Sequence, residues 1–180
     1  LADHDLARRH GTVEHLLVMP VTPGEIMISK ASAMGLVVIV ASALSLVLVV
    51  QGLLAVQIEG SLLLFFAGTG LHLFATTSMG IFMGTIARSM PQFGLLMMLV
   101  LLPLEMLSGG VTPRESMPTV VQLVMEAAPT THFVALAQAI LYRGAGFAVV
   151  WPHFAALVLI GALLFSLSLA RFRRTIGLMA

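Results

Sequence analysis

Residues 31–58 run for twenty-eight positions without a single charged side chain, centred on VVIVASALSLVLVV. A helix needs about 20 apolar residues to cross roughly 30 Å of hydrocarbon. This run is long enough to span a bilayer and too apolar to face water along its length. The rest of the chain agrees with it. Only 9% of the 180 residues are charged, 59% are hydrophobic, and the mean hydropathy is +1.05, whereas a soluble domain carries roughly 25% charged residues. Such a chain cannot clothe a globule in polar groups, so most of its solvent must be lipid. A net charge of +1 leaves no clustered Lys and Arg for nucleic acid. The absence of cysteine excludes disulfides, thiolate metal sites and cysteine nucleophiles.

Three further apolar stretches follow the first. The expected spans are about 31–57, 61–87, 91–107 and 146–170, of which the third is short and carries Pro103 and Glu105 near its end. Orientation follows from the basic residues. Arg8, Arg9, Lys30, Arg88, Arg171, Arg173 and Arg174 share one side if the chain crosses four times, which leaves Arg114 and Arg143 on the other. Both ends of the chain are therefore expected to be cytoplasmic. Leu1 is followed by charge rather than by an apolar leader, and the expectation is a C-terminal piece of a longer protein.

The 113–142 stretch does not read as an ordinary loop. Thr112-Pro113-Arg114-Glu115 has a capping-box pattern with proline at the first helical position. Pro118 restarts the helix, and a second apolar segment places Phe133, Leu136, Ala137, Ile140 and Leu141 on one stripe. Two short helices with apolar faces, too short to span, read as re-entrant or interfacial elements.

Ahead of the first span, residues 10–30 read HGTVEHLLVMPVTPGEIMISK. Val13, Leu16 and Leu17 share a helical face with Glu14 and His15 opposite, and Pro20 ends the turn. Thr22-Pro23-Gly24-Glu25 then launches a new helix into span one. The product is helix, elbow, helix at the membrane face. One reading is an amphipathic entry helix resting on lipid headgroups. The other is a rigid corner held by a protein partner, which suits its acidic polar face better than anionic lipid does.

These residues are similar to a known family. GTVEHLLVMPVTPGEIMISK, with its Gly-Thr-x-Glu-x-Leu…Pro pattern, resembles the cytoplasmic segment of ABC-2-type transporter permeases. SGGVTPRESMPTVVQLVMEAAPTTHFVALAQAILYRG resembles the region before their last helix. Where the family pattern has Arg-Glu ahead of Gly-Thr, this chain has Arg8-Arg9-His10. The resemblance implies a multi-pass permease of the bacterial inner membrane, of the multidrug or drug-export type. It would work with a separate ATP-binding cassette ATPase subunit and a second permease subunit, identical or not. It also implies an all-α polytopic bundle in which residues 1–30 are the cytoplasmic connection and 31–180 the transmembrane domain. The 12–19 helix would then be a coupling helix, offering Thr12, Glu14, His15, Leu16, Leu17 and Pro20 to the ATPase subunit.

The chain has no GxxxxGK[ST] phosphate loop with which to hydrolyse ATP itself. Its six histidines are scattered without metal-ligand spacing, so no catalytic residue, metal or cofactor is expected. His72, inside span two, is a candidate for the transport pathway by default, against a plain packing role beside a neighbouring helix. Glu105 either lines the exit or closes the turn before Ser108-Gly109-Gly110. Thr76, Gly80 and Gly84 recur every four residues, which suits close helix packing inside the bundle or a dimer interface. Two other classes remain open, a non-transporting membrane scaffold or assembly factor and a secondary transporter. A secondary transporter should show paired intramembrane carboxylates or inverted repeats, and neither is visible.

Overall fold

A computed structural model describes residues 23–177, and every described element is helical. Helix α1 (Pro23–Leu44) starts at the proline of the second capping box, with Glu25 in its first turn. It passes without a break into a π-helical stretch, Ser45–Leu53, where backbone bonds lengthen to Leu54 N–H onto Val49 C=O, 2.9 Å. Helix α2 is Leu62–Ile86 and α3 is Met90–Met106. A 3₁₀ turn (Arg114–Ser116), α4 (Thr119–Met125), α5 (Pro129–Arg143) and α6 (Phe147–Gly177) complete the order. Among the described residues three helical stretches are long and apolar enough to cross a membrane: Ser32–Leu53, Leu62–Ile86 and Phe147–Arg171. Helix α3, with 17 residues, is a shorter apolar helix. At 1.5 Å per residue it is about 25 Å long, near the lower limit for a span.

The ends of these helices follow from local chemistry. Ser89 caps α3 by accepting from the Gln92 N–H at 3.3 Å, and the Gln92 side chain reaches back to the Arg88 N–H at 2.8 Å. This is a capping-box exchange moved by one residue. Gly144 ends α5 with φ +62°, a conformation open to glycine at little cost. Inside the spans, hydroxyls bond to the carbonyl one turn back, as Ser42 does to Val38 and Ser78 to Phe74, both at 2.7 Å. At Thr112 the outcome differs from expectation. The turn after it is 3₁₀, Pro113 occupies the cap position, and no side chain caps it. Pro118 disfavours helical geometry at Met117, so the turn closes after Ser116 and a new helix begins at Thr119.

Helices α4 and α5 meet at 92° around Ala127-Ala128, the bent pair foreseen for this region. The stripe on α5 points inward: Leu136 and Ile140 are fully buried, and Phe133, Ala137 and Leu141 pack beside them. With Phe65 of α2 and Val150 and Leu157 of α6 they form the core. Two glycines let the backbones approach. A Cβ on Gly161 of α6 would lie 2.8 Å from the Phe74 ring and 3.3 Å from the Ala75 Cα of α2. A Cβ on Gly60 would run into the Ile140 carbonyl. Farther along the same pair, the Ser168 hydroxyl, whose shorter bond at 2.7 Å is to the Leu164 carbonyl of its own helix, shares its hydrogen with the Ser78 carbonyl of α2 at 3.2 Å. Helix α1 is different, since no residue of its span is buried.

Candidate functional site

Three features stand out once the bundle is assembled. The first is a groove of about 310 Å³ between α1, α2 and α6. Gly35 and Ile39 of α1 form one wall, Gly70, Phe74 and Thr77 of α2 the floor, and Phe165 of α6 the far side. It forms because glycine stands on both facing helices. At Gly70 a Cβ would meet only the Ile39 Cδ1, 3.9 Å away, and at Gly35 it would meet nothing within 4 Å. The lining is apolar with a few hydroxyls, and the volume falls at the small end of ligand pockets.

The second feature sits where α5 begins. The His72 ring of α2 stacks on Phe133 of α5, with centroids 4.3 Å apart and planes 12° from parallel. Its Nδ1 is buried without a partner, as are the hydroxyls of Thr130 and Thr131 at the start of α5. The Thr131 hydroxyl belongs to a residue that also lines a second cavity, about 320 Å³, with Ser108, Gly110, Arg114, Glu115 and Gln138. The third feature is a polar chain at the same end of the bundle. Arg114 pairs with Glu126 at 2.8 Å. The Glu126 carbonyl lies 2.8 Å from His132 Nε2, and His132 Nδ1 lies 3.3 Å from His153 Nδ1. Among the described residues no group of three or more His, Cys, Asp or Glu is placed to hold a metal.

The sequence profile of the family described as "ABC-2 type transporter" matches residues 5–142. The chain belongs to the ABC-2 type transporter family. Over 173 residues, 96% of this chain, it is 69% identical to "Inner membrane transport permease YhhJ" of Escherichia coli K12. It is 30% identical over 171 residues, 94% of this chain, to "Probable multidrug ABC transporter permease YbhR" of the same organism. The chain spans 46% of the length of each of these relatives. A third relative, "Probable multidrug ABC transporter permease YbhS", is 33% identical over 137 residues, 74% of this chain and 36% of its own length. No solved structure matches.

Within this ABC-2 chain the residues singled out from sequence separate. Thr12, Glu14, His15, Leu16, Leu17 and Pro20 lie outside the described residues. His72 lies in the core contact with Phe133, away from the groove lining. The exposed Glu105 contributes its backbone to the turn, where its carbonyl accepts from Ser108 Oγ at 2.9 Å. Among the described residues the glycines of the stripe Thr76, Gly80, Gly84 make no close approach. A Cβ on Gly80 meets nothing within 4 Å, and one on Gly84 meets only Phe93, 3.9 Å away. The tight crossings fall at Gly60, Gly68 and Gly161 instead. Sequence reasoning missed the groove and the two orphan threonines. Gly35 and Gly70 stand among other small residues, Ala31-Ser32-Ala33 and Ala67-Gly68-Thr69, and no spacing tells that they face each other.

Proposed function

We propose that this chain is part of an ABC exporter permease that carries an apolar or amphipathic substrate out of the cell, driven by ATP hydrolysis on a separate subunit. The observation that carries the reading is the position of α1. It follows directly from residues 10–22, no residue of its span is buried, and it forms one wall of the groove. A push on the corner at Pro20–Pro23 therefore moves that wall against α2 and α6, which are locked together. The printed names of the relatives, permeases with YbhR and YbhS as probable multidrug ABC permeases, support the same direction.

In this reading the chain crosses four times, with α3 as the third span and α4–α5 re-entering from the outer face. Residues 1–30 and the C-terminal end lie on the cytoplasmic side of the bacterial inner membrane. Thr12, Glu14, His15, Leu16, Leu17 and Pro20 form the helix seated on the ATPase subunit. Thr76, Gly80 and Gly84, unfilled inside this chain, face the second permease subunit. His72 acts by holding α2 to the re-entrant pair rather than by touching substrate.

The test is co-purification of the ATPase subunit with the full-length permease. Glu14→Arg and Leu17→Asp should each release it while membrane insertion persists. If the ATPase remains bound to both variants, the corner is not the handle. Gly35→Trp fills the groove where a side chain has room, so it should abolish export while the ATPase stays bound. Undiminished export in that variant would remove the groove from the pathway.

A further inference from the structure

We propose that the polar cavity between segment 108–115 and α5 holds the zwitterionic head of a phospholipid, an ammonium phosphate, with its acyl chains along α3. This site stands on the cavity's own residues and is independent of the transport reading. One wall is a face of α5, where Thr131, Val134, Ala135 and Gln138 recur at helical spacing. The other is the loop that carries Arg114 and Glu115. The cavity measures about 320 Å³, at the small end of ligand pockets, which start from roughly 300 Å³. A polar head fits it, and a whole lipid does not.

The fold leaves hydrogen-bonding capacity unused here. Thr131 is 2% exposed, yet its hydroxyl has no partner. Buried polar groups are nearly always hydrogen-bonded, and an acceptor oxygen of an occupant would supply the missing bond. Arg114 gives only Nη2 to Glu126, so its other N–H donors are available. Gln138 reaches the Gly109 carbonyl at 3.4 Å, beyond the usual N–H···O range of about 2.7–3.2 Å. Among the described residues Glu115 makes no ion pair. These groups select a charge type. The guanidinium suits phosphate oxygens, which match its fork of donors, and the Glu115 carboxylate beside it suits an ammonium. One arginine faces two carboxylates, Glu115 and Glu126, which opposes a lone anion but not a head that brings its own cation. The surroundings select a lipid as the carrier of that head. Helix α3 ends at Met106, two residues before the lining starts at Ser108. Leu99, Leu102 and Met106 form an exposed apolar stripe leading up to it, and Val111 in the lining is exposed as well. Acyl chains would cover that stripe, whereas a soluble zwitterion would leave it bare.

The experiment uses the full-length permease, stripped of lipid in detergent and titrated with phosphatidylethanolamine or phosphatidylglycerol, with bound lipid counted by native mass spectrometry. One phosphatidylethanolamine should be retained with about tenfold preference over phosphatidylglycerol, the scale of a hydrogen bond to a charged group. Glu115 is exposed, so Glu115→Gln should leave the fold intact while removing most of that preference. Thr131→Val replaces the orphan hydroxyl at nearly constant volume. It should weaken phosphatidylethanolamine about fivefold and yet raise the melting temperature of the lipid-free protein, a pair of opposite shifts that a purely structural threonine would not give. Glycerophosphoethanolamine, the same head without tails, should compete on the order of a hundredfold or more weakly, because each buried methylene adds to the affinity of the lipid. Equal retention of the two lipids, an unchanged preference in Glu115→Gln, or unchanged phosphatidylethanolamine binding in Thr131→Val would overturn the proposal. Competition by glycerophosphoethanolamine at the lipid's own concentration would overturn the lipid as occupant and assign the cavity to a soluble zwitterion.

Discussion

Helix α2 and the helical stretch Ser32–Leu53 that begins in α1 are both long and uncharged, yet the bundle treats them differently. Phe65, Ala75, Ser78, Met79 and Met83 of α2 are buried against α5 and α6. In α1 and its π-helical continuation, Leu36, Val40, Leu44 and Leu48 are at least half exposed. Lipid tails are as apolar as leucine, so exposure to them costs little and burial gains little by itself. What separates the two helices is backbone approach. Gly161 and Gly60 let α2, α5 and α6 come close enough for dispersion contacts and for the Ser168–Ser78 bond. Helix α1 meets the others across a groove instead. A bundle with a fixed part and a loosely held helix is what a lever needs.

Substitutions can break or sharpen this contrast. The largest effect should come from Leu136→Ala, which empties the fully buried centre and should cost about 2–5 kcal/mol. Leu99→Ala on the exposed face of α3 should cost almost nothing when both are unfolded from mixed micelles. Equal losses would mean that α3 is as tightly held as α5. Gly161→Ala comes next. Its Cβ must displace the Phe74 ring and press on the Ala75 backbone, which should cost about 1–3 kcal/mol. Gly35→Ala, with open space around it, should be neutral or slightly stabilising because alanine favours the helix. A small loss is expected of Ser168→Ala. It removes the longer, interhelical branch of a hydroxyl contact shared with Leu164, so the loss should not exceed about 0.6 kcal/mol, the average for an interhelical bond in membrane proteins, and double-mutant unfolding measurements with Gly161→Ala would resolve it. A loss above that of Gly161→Ala would make polar bonding, rather than close approach, the organiser of the fixed part.

Much of this architecture is legible in the residues. Uncharged runs disclose long helices because nothing else satisfies the backbone in lipid, and prolines 118 and 129 mark where α4 and α5 begin. The inward stripe of α5 follows from its 3.6-residue period. The sites are less legible. The Thr76–Gly80–Gly84 stripe carries the pattern of close packing, while among the described residues the close approaches fall at Gly60, Gly68 and Gly161. A small residue permits proximity without choosing the partner. His132 and His153 are 21 positions apart, and only the 92° bend between α4 and α5 and the return of α6 bring their rings together.

The central claim is that α1 moves while α2 and α6 stay fixed. It is tested by spin-label distances in the full-length permease bound to the ATPase subunit proposed above, with and without a non-hydrolysable ATP analogue. Labels at the exposed positions Leu36 of α1 and Leu163 of α6 report the groove wall, and Leu63 of α2 with Leu163 reports the fixed pair. The account predicts a nucleotide-dependent change in the first distance and none in the second. An unchanged first distance, or an equal change in both, would contradict it.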